Sequence, residues 1–311
     1  MRELLDARIS LLALLRIKGV HWNFVAREAQ LPEGLERLLA GRASEASPEA
    51  EESLRLIQGA LPSLDGLRET ISQMVEQAQG DGIWLTTVLD DDYPVNLRTI
   101  FNLPPFLFVR GELREDDARS VAVVGTRAPT SEGLARARTM SKLLAENGVT
   151  VLSGLARGID TAAHEACLAA GGRTIAVLGS GIRRTYPPEN RGLAEMIVER
   201  GAVVSQFWPD APPSSYSFPR RNVVMSGMGQ GTVVVEATAT SGAKMQARLA
   251  LEHGKKVWLL GSLIESHEWA RRYEARGAIR VDDVEDIIRL LRSPEAVRER
   301  AEARMQLSLA I

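Results

Sequence analysis

The sequence predicts an α/β protein in which a doubly wound parallel sheet follows a small all-helical part. From residue 120 onward, short runs of β-branched residues alternate with helical stretches. These runs are apolar throughout, which indicates strands buried on both faces, as in a parallel sheet wound right-handedly between two helical layers. The first 78 residues differ, because their apolar residues recur at helical spacing.

The elements follow from this pattern in chain order. Amphipathic helices are predicted for RISLLALLRIKG and for EESLRLIQGALPSLDGLRETISQMVEQ. The polar segment GRASEASPEAEE joins them. Residues 83–113 contain several prolines and short β-prone runs, which indicate an extended entry segment, and Asp90 to Asp92 are expected in a solvated turn. The predicted strands are VAVVG, VTVLSG, TIAVLGSG, AVVSQ, TVVVEA and KVWLLG, each followed by a helix. A helix, an edge strand and charged helices are expected to close the chain. The predicted domains are 1–78, 79–285 and 286–311.

Composition limits the possible functions. The 311 residues include 45% hydrophobic and 25% charged residues, which is ordinary globular composition. The net charge of -2 argues against a protein that coats polyanions with its whole surface, so a nucleic-acid site has to be local. The single cysteine, Cys167, has no disulfide partner within the chain and is expected to be a buried packing residue. No apolar run is long enough to span a membrane, and a cytoplasmic location is expected.

Several strand ends carry small residues and arginines. In an open parallel sheet, ligands bind outside the carboxyl ends of the strands, where loops meet and helix N-termini present free N–H groups. Small residues let the backbone approach a phosphate, and arginine adds bidentate charge. We therefore predict an anion-binding rim. It comprises Gly125, Thr126, Arg127, Ser153, Gly154, Ala156, Arg157, Gly158, Arg183, Arg184, Arg220, Arg221 and Asn222. Arg173 precedes a strand and is expected at the opposite edge of the sheet.

Other chemistry finds little support. VVGTRAPTSEG lacks the glycine spacing of a dinucleotide fingerprint, and the sequence has no P-loop, so we predict no cofactor and no ATPase activity. The four histidines are scattered, which disfavours a metal site. His164 is expected to be a structural histidine with a satisfied partner, and the alternative is that it orients Asp160 or the loop. Ser153 has no adjacent base for serine hydrolase chemistry. The aromatic residues around the later loops fit either base stacking or the packing of a proline-rich lid. They are Tyr186, Phe207, Trp208, Tyr216 and Phe218.

The motifs between residues 83 and 260 resemble those of the DNA-processing protein A family, also called DprA or Smf. They include VAVVGTR, SGLARGIDTAAHEA, YPPEN, FPRRN and VVVEA. The resemblance implies an extended Rossmann-like domain that binds and protects single-stranded DNA, as a homodimer, and loads the recombinase RecA during DNA uptake in natural transformation. It also implies that Arg127 and the loop of Ser153, Gly154, Ala156, Arg157 and Gly158 line the phosphate pocket. Arg221 and Asn222 match a further motif.

The sequence departs from the family pattern at three places. Val223 stands where the family has a second arginine, SGAKMQA replaces SGSLITA, and Gly261-Ser262 replaces Pro-Gly. Only short charged helices occupy the region where many members have a winged-helix module.

An alternative function remains open. GMGQGTVVVEA is similar to the signature of nucleoside-monophosphate phosphoribohydrolases of the LOG family. In this interpretation Glu236 and Arg221 would be catalytic. Alternatively, the same pocket would sense a nucleotide. The favoured interpretation of Glu236 is a structural carboxylate at a strand end that holds Arg221 or a helix N-terminus. A third hypothesis is that the protein is an interaction scaffold whose N-terminal helices bind a recombinase or another protein. The favoured prediction is a non-enzymatic single-stranded DNA binder.

Overall fold

The structure, a computed structural model, describes residues 2–309, and within it the chain forms two compact units. The first contains the residues up to Tyr93 together with Phe101–Leu107. The second contains Pro94–Ile100 and the residues from Phe108 onward. The predicted division into 1–78, 79–285 and 286–311 concerns independent folding and stays a prediction.

The first unit is built mainly from helices. Its elements are α1 (Arg2–Arg16), α2 (Trp22–Ala29), α3 (Gly34–Leu39), α4 (Pro48–Ala60), α5 (Leu64–Gly80) and strand β1 (Trp84–Thr87). Helix α1 packs through its second half, where Leu11, Leu12 and Leu14 are fully buried. Helix α4 starts at Ser47, whose hydroxyl accepts a hydrogen bond from Ala50 N at 3.2 Å, and proline at the first position needs no N–H partner. The predicted helices are therefore present over residues 2–80.

The prediction of a solvated turn is wrong for Asp90, which is only 3% exposed. Its Oδ2 accepts hydrogen bonds from Thr87 N at 2.7 Å and Thr87 Oγ1 at 2.9 Å. Its Oδ1 accepts one from Arg8 Nε at 2.8 Å. A carboxylate can be buried when its charge is balanced and its oxygens are hydrogen-bonded, and Asp90 meets both conditions. Asp90 therefore stabilises the segment after β1 rather than facing water.

The second unit is organised by a mostly parallel sheet. The strands are β2 (Phe106–Gly111), β3 (Ser120–Gly125), β4 (Thr150–Ser153), β5 (Thr174–Val177), β6 (Ala202–Ser205), β7 (Gly231–Glu236), β8 (Lys256–Leu260) and β9 (Ile279–Val281). They lie in the order β2-β6-β5-β4-β3-β7-β8-β9. Only β2 runs antiparallel to its neighbour in this series, pairing with β6. The six strands predicted from apolar runs are β3 to β8.

Helices connect these strands and cover the sheet. They are α6 (Ser131–Glu146), α7 (Ile159–Ala169), α8 (Arg191–Arg200), α9 (Ser217–Met228), α10 (Gly242–Glu252), α11 (Gly261–Ser266), α12 (Glu268–Glu274), α13 (Val284–Arg289) and α14 (Pro294–Leu309). Residues of α6, α7 and α13 pack with the strands around the fully buried Trp258. Cys167 belongs to this core, where burial raises the pKa of its thiol to about 12. It is the packing residue that the sequence predicts.

The strand order reverses at β3. From β3 the chain proceeds through β4, β5 and β6 on one side, and it then returns to place β7, β8 and β9 on the other side. This arrangement confirms the predicted doubly wound α/β fold. In such sheets the connections from β3 and β7 leave on opposite faces, which opens a crevice at the carboxyl ends of these two strands. The fold therefore places the candidate site after Gly125 and Glu236.

Candidate functional site

A cleft of about 420 Å³ lies at this reversal point. Its walls come from the loop after β3, the start of α9 and the segment between β7 and α10. A smaller recess beside it is lined by Arg127, Gly154, Arg157, Tyr186 and Phe218. Arg127 borders both hollows. The sequence prediction that these loops converge on one edge is therefore met around Arg127.

Arg127 is the exposed cation of the cleft. Its guanidinium lies 5.4 Å from the ring centre of Phe218. No hydrogen bond or ion pair of its side chain occurs within residues 2–309. The loop can approach α7 closely because Gly125 and Gly158 have no side chains: a Cβ on Gly125 would lie 2.4 Å from Ile159 Cγ1, and one on Gly158 2.5 Å from Thr126 O. The geometry leaves Arg127 available to an anion.

The loop after β4 is held from inside by Asp160. The Oδ2 atom of Asp160 accepts hydrogen bonds from Gly154 N at 3.1 Å and Ala156 N at 3.4 Å. Burial raises the pKa of Asp160, and the charge of Arg221 opposes that rise. The N–H groups of these two residues, which the sequence places in the anion-binding rim, are therefore already bonded within the protein. Ser153 is buried as well, and its hydroxyl donates to Val123 O at 2.7 Å.

Arg221 also holds this loop. The side chain is buried, and its Nη1 donates to Gly154 O at 2.6 Å and Val177 O at 3.2 Å. Its Nε donates to Asn222 Oδ1 at 3.0 Å. A Cβ on Gly154 would lie 1.5 Å from Nη1, so glycine is needed there to admit the guanidinium. Burial lowers the pKa of Arg221. This arginine therefore positions the backbone, whereas the sequence predicts it as a phosphate ligand.

The remaining arginines of the predicted rim are divided among other partners. Arg157 is exposed and forms an ion pair with Glu189. Arg183 Nη1 donates to Asp210 Oδ2 at 2.9 Å, and Arg184 Nε donates to Asp210 O at 2.8 Å. Both arginines of the loop after β5 therefore bind Asp210. Neither is among the described residues that line the cleft. Arg220 is exposed at the start of α9.

Two further sequence expectations concern residues outside the rim. Arg173 bonds to Asp117 through its Nε at 2.6 Å, just before β5, which is the opposite edge that the sequence predicts. His164 is the structural histidine that the sequence favours, and its partner is Thr174 rather than Asp160. His164 Nδ1 lies 2.7 Å from Thr174 Oγ1, and burial lowers the pKa of the imidazole to about 3. The neutral histidine packs α7 onto the sheet because Thr174 offers it a buried polar partner.

Glu236 ends β7 and binds the start of α6. Its carboxylate accepts hydrogen bonds from Thr130 N at 3.2 Å and from Thr130 Oγ1 at 2.7 Å. Thr130 in turn caps α6 by accepting from Gly133 N at 3.0 Å. A negative charge at a helix N-terminus is stabilising. Of the roles considered for Glu236, this geometry matches the carboxylate that holds a helix N-terminus.

Sequence reasoning missed the wall formed between β7 and α10. Thr238, Thr240 and Ser241 line the cleft there, and Ser241 caps α10 by accepting from Lys244 N at 3.3 Å. The first N–H groups of the 11-residue helix α10 thus lie at the cleft and have no partner in their own helix. The hydroxyl-rich run TATS before a predicted helix is the signal that could have identified this wall.

The aromatic side chains predicted near the rim are partly assembled there. Tyr186 and Phe218 have ring centres 6.0 Å apart, with planes tilted by 49°. Tyr186 is 45% exposed beside the recess, and Tyr216 in the preceding loop is 84% exposed. The recess therefore offers an accessible ring surface next to Arg127, as base stacking requires.

Residues 2–309 contain neither a candidate metal centre nor a candidate membrane-spanning helix. No group of three or more histidine, cysteine, aspartate or glutamate side chains in this part of the chain is placed to hold a metal ion. None of its helices combines the length and apolar character needed to cross a membrane.

Comparison with known families identifies the chain. Residues 84–292 match the family model for DNA recombination-mediator protein A. The chain belongs to this family. Protein Smf of Escherichia coli is 43% identical over 202 residues, which cover 63% of this chain and 53% of that protein. The DNA processing protein DprA of Streptococcus pneumoniae is 36% identical over 222 residues, covering 68% of this chain and 78% of that protein.

Solved structures extend the match beyond the aligned sequence. The crystal structure of Streptococcus pneumoniae DprA superposes with a TM-score of 0.74 at 27% identity, covering 92% of this chain and 98% of that one. A Helicobacter pylori DprA, described in terms of its single-stranded DNA binding mode, matches with a TM-score of 0.58 at 24% identity. It covers 66% of this chain and 94% of that one, and at this identity it supports the fold.

The matching family is described as a DNA recombination mediator, and the Streptococcus pneumoniae relative is named a DNA processing protein. Because the family is described as a recombination mediator, the prediction of a non-enzymatic protein is confirmed at the level of the family. The chain spans about half the length of the Smf proteins that it matches, 53% in Escherichia coli and 48% in Synechocystis.

Proposed function

We propose that this protein binds the backbone of single-stranded DNA along the cleft at the reversal of the sheet. The observation that supports the proposal most directly is the exposed guanidinium of Arg127, which borders both hollows and lies 5.4 Å from the ring centre of Phe218. The N-terminus of α10 adds N–H groups on the opposite wall, and such groups attract phosphate. Tyr186 presents a ring on which a base can stack at this edge.

The charged residues set the expected salt dependence. The sequence predicts about four neutralised phosphates and a slope of log affinity against log salt near -3. The structure pairs Arg183 and Arg184 with Asp210 and pairs Arg157 with Glu189, whereas Arg127 is exposed at the cleft. Fewer phosphates are then neutralised than the sequence predicts, so the slope for a single strand should be shallower than about -3. We therefore expect moderate affinity that weakens with salt and depends little on base sequence.

The biological role proposed here follows from the family. The bound strand would be protected and passed to the recombinase RecA during DNA uptake and natural transformation. A homodimer in the cytoplasm is part of the same proposal. Sedimentation with and without an oligonucleotide tests the dimer. Deleting residues 1–78 while measuring strand binding and RecA loading separately tests whether the helical part docks the recombinase.

A titration of labelled oligo(dT), about 30 nucleotides long, at several salt concentrations tests strand binding. Saturable binding of moderate affinity that weakens with salt along the expected slope, with weak competition from duplex DNA, supports the proposal. Failure to bind the strand while a mononucleotide stabilises the protein favours the nucleotide-sensor alternative. The cleft volume of about 420 Å³ would then hold that ligand. Release of a free base that Glu236→Gln abolishes would favour the phosphoribohydrolase alternative.

A further inference from the structure

The two exposed arginines of the recess differ in their surroundings. The side chain of Arg127 has its contact with an aromatic ring. Arg157, on the other side of the recess, donates from its Nε to Glu189 Oε1, and both side chains are well exposed, at 65% and 47%. The hydrogen bond between them raises the pKa of Arg157 and lowers the pKa of Glu189, so both groups are charged at neutral pH. Arg157 is therefore already paired with a negative charge, that of Glu189.

The position of Glu189 is fixed by the residue that follows it. Asn190 is buried, and its Nδ2 donates to Leu155 O at 2.9 Å and to Thr161 Oγ1 at 2.9 Å. Thr161 Oγ1 donates in turn to Ala156 O at 2.8 Å. These bonds tie the segment that carries Glu189 to the loop that carries Arg157. The backbone of Glu189 is therefore held close to the loop that carries Arg157, which keeps the carboxylate within reach of the guanidinium.

An exposed ion pair is weak and exchanges readily with other partners. A phosphate of a bound strand can take the place of the carboxylate, because arginine binds phosphate through the same planar array of donors. Because Asn190 anchors the backbone of Glu189, the displaced carboxylate stays within the length of one side chain from its former position. The carboxylate would then remain near the incoming phosphate and repel it.

We propose that Glu189 competes within the protein for Arg157 and thereby limits the affinity for strands that reach beyond Arg127. The inference rests on the proposed function, because it requires a strand that lies along both arginines. A single nucleotide held at Arg127 does not need Arg157 and is unaffected by the competitor. Glu189 therefore limits how much the affinity rises when the strand is long enough to reach Arg157.

Glu189→Gln tests the proposal, since it removes the charge and keeps the size. Oligo(dT) affinity at low salt should rise about two- to fivefold, the range that exposed ion pairs span. The salt slope should become steeper by about 0.7, one additional phosphate contact. The affinity for thymidine monophosphate should not change. Glu195→Gln is the matched control, because Glu195 pairs with Arg110 near the opposite edge of the sheet.

A double-mutant cycle with Arg157→Ala separates the possible outcomes. The proposal requires that Glu189→Gln has no effect when Arg157 is absent. An equal gain in both backgrounds would overturn it, because Glu189 would then act through general charge. Unchanged affinity in a wild-type background that binds the strand would also overturn it. Absence of strand binding by the wild type would instead contradict the proposed function itself.

Discussion

Arg221→Met provides the strongest test of how the site is built. The side chain is buried, contacts two backbone carbonyls and faces the charge of Asp160. Removing one partner of a buried charged pair leaves the other uncompensated and typically costs about 3–5 kcal/mol. We expect the free energy of unfolding to fall by that amount at neutral pH. Arg127→Ala, at an exposed position, should change it by less than about 0.5 kcal/mol.

The cost of Arg221→Met should depend on pH. Without the arginine, the pKa of Asp160 rises further above its value in the unfolded chain. A carboxyl group with a raised folded-state pKa stabilises the fold at low pH, and this contribution is lost as pH rises through the interval between the two pKa values. The variant should therefore be closest to wild type near pH 4 and furthest from it near pH 7. Adding Asp160→Asn should recover part of the loss.

Urea unfolding followed by tryptophan fluorescence measures these differences, since Trp258 is buried in the second unit. Strand binding is measured on the same samples at a temperature where all variants are folded. If Arg221→Met unfolds within about 1 kcal/mol of wild type and loses strand binding as completely as Arg127→Ala, Arg221 is a ligand residue. The positioning role would then be refuted.

Two other predictions concern stability. Burial lowers the pKa of His164 to about 3, so between pH 6.5 and 3 the unfolded chain takes up a proton that the folded chain does not. Stability should decline with falling pH in this range by about 1.4 kcal/mol per pH unit, and His164→Gln should remove this component in urea titrations at several pH values. Glu236→Gln should lower the free energy of unfolding by about 0.5–1 kcal/mol, because the charge at the start of α6 is lost. Its strand affinity should equal that of wild type, and a large loss would show that the carboxylate contacts the ligand.

The fold could be predicted because its signals are local. Apolar runs ending in glycine or serine specify buried parallel strands, and the order of strands and helices then fixes the edge at which the loops meet. Arg127 could be placed at that edge from its position after β3 alone. The general location of the site was therefore contained in the sequence pattern.

The partners of individual arginines could not be predicted in this way. Arg220 and Arg221 are adjacent in sequence, but the first is exposed and the second is buried beneath Gly154. Which of them turns inward depends on how α9 packs against the loop after β4, which is a tertiary property. The same is true of Asp210, which bonds to Arg183 and Arg184 from a loop 26 and 27 residues away. Charge counted along the sequence therefore overestimates the cations available to DNA.

Strand binding by wild type, Arg127→Ala and Arg200→Ala tests the central claim most directly. Arg200 is an exposed arginine that ends α8 just before β6, at the opposite edge of the sheet, so its replacement removes the same charge away from the cleft. With labelled oligo(dT), Arg127→Ala should weaken binding about tenfold or more at low salt and flatten the salt slope by about 0.7. Arg200→Ala should bind like wild type. Equal affinities for Arg127→Ala and wild type would contradict the account.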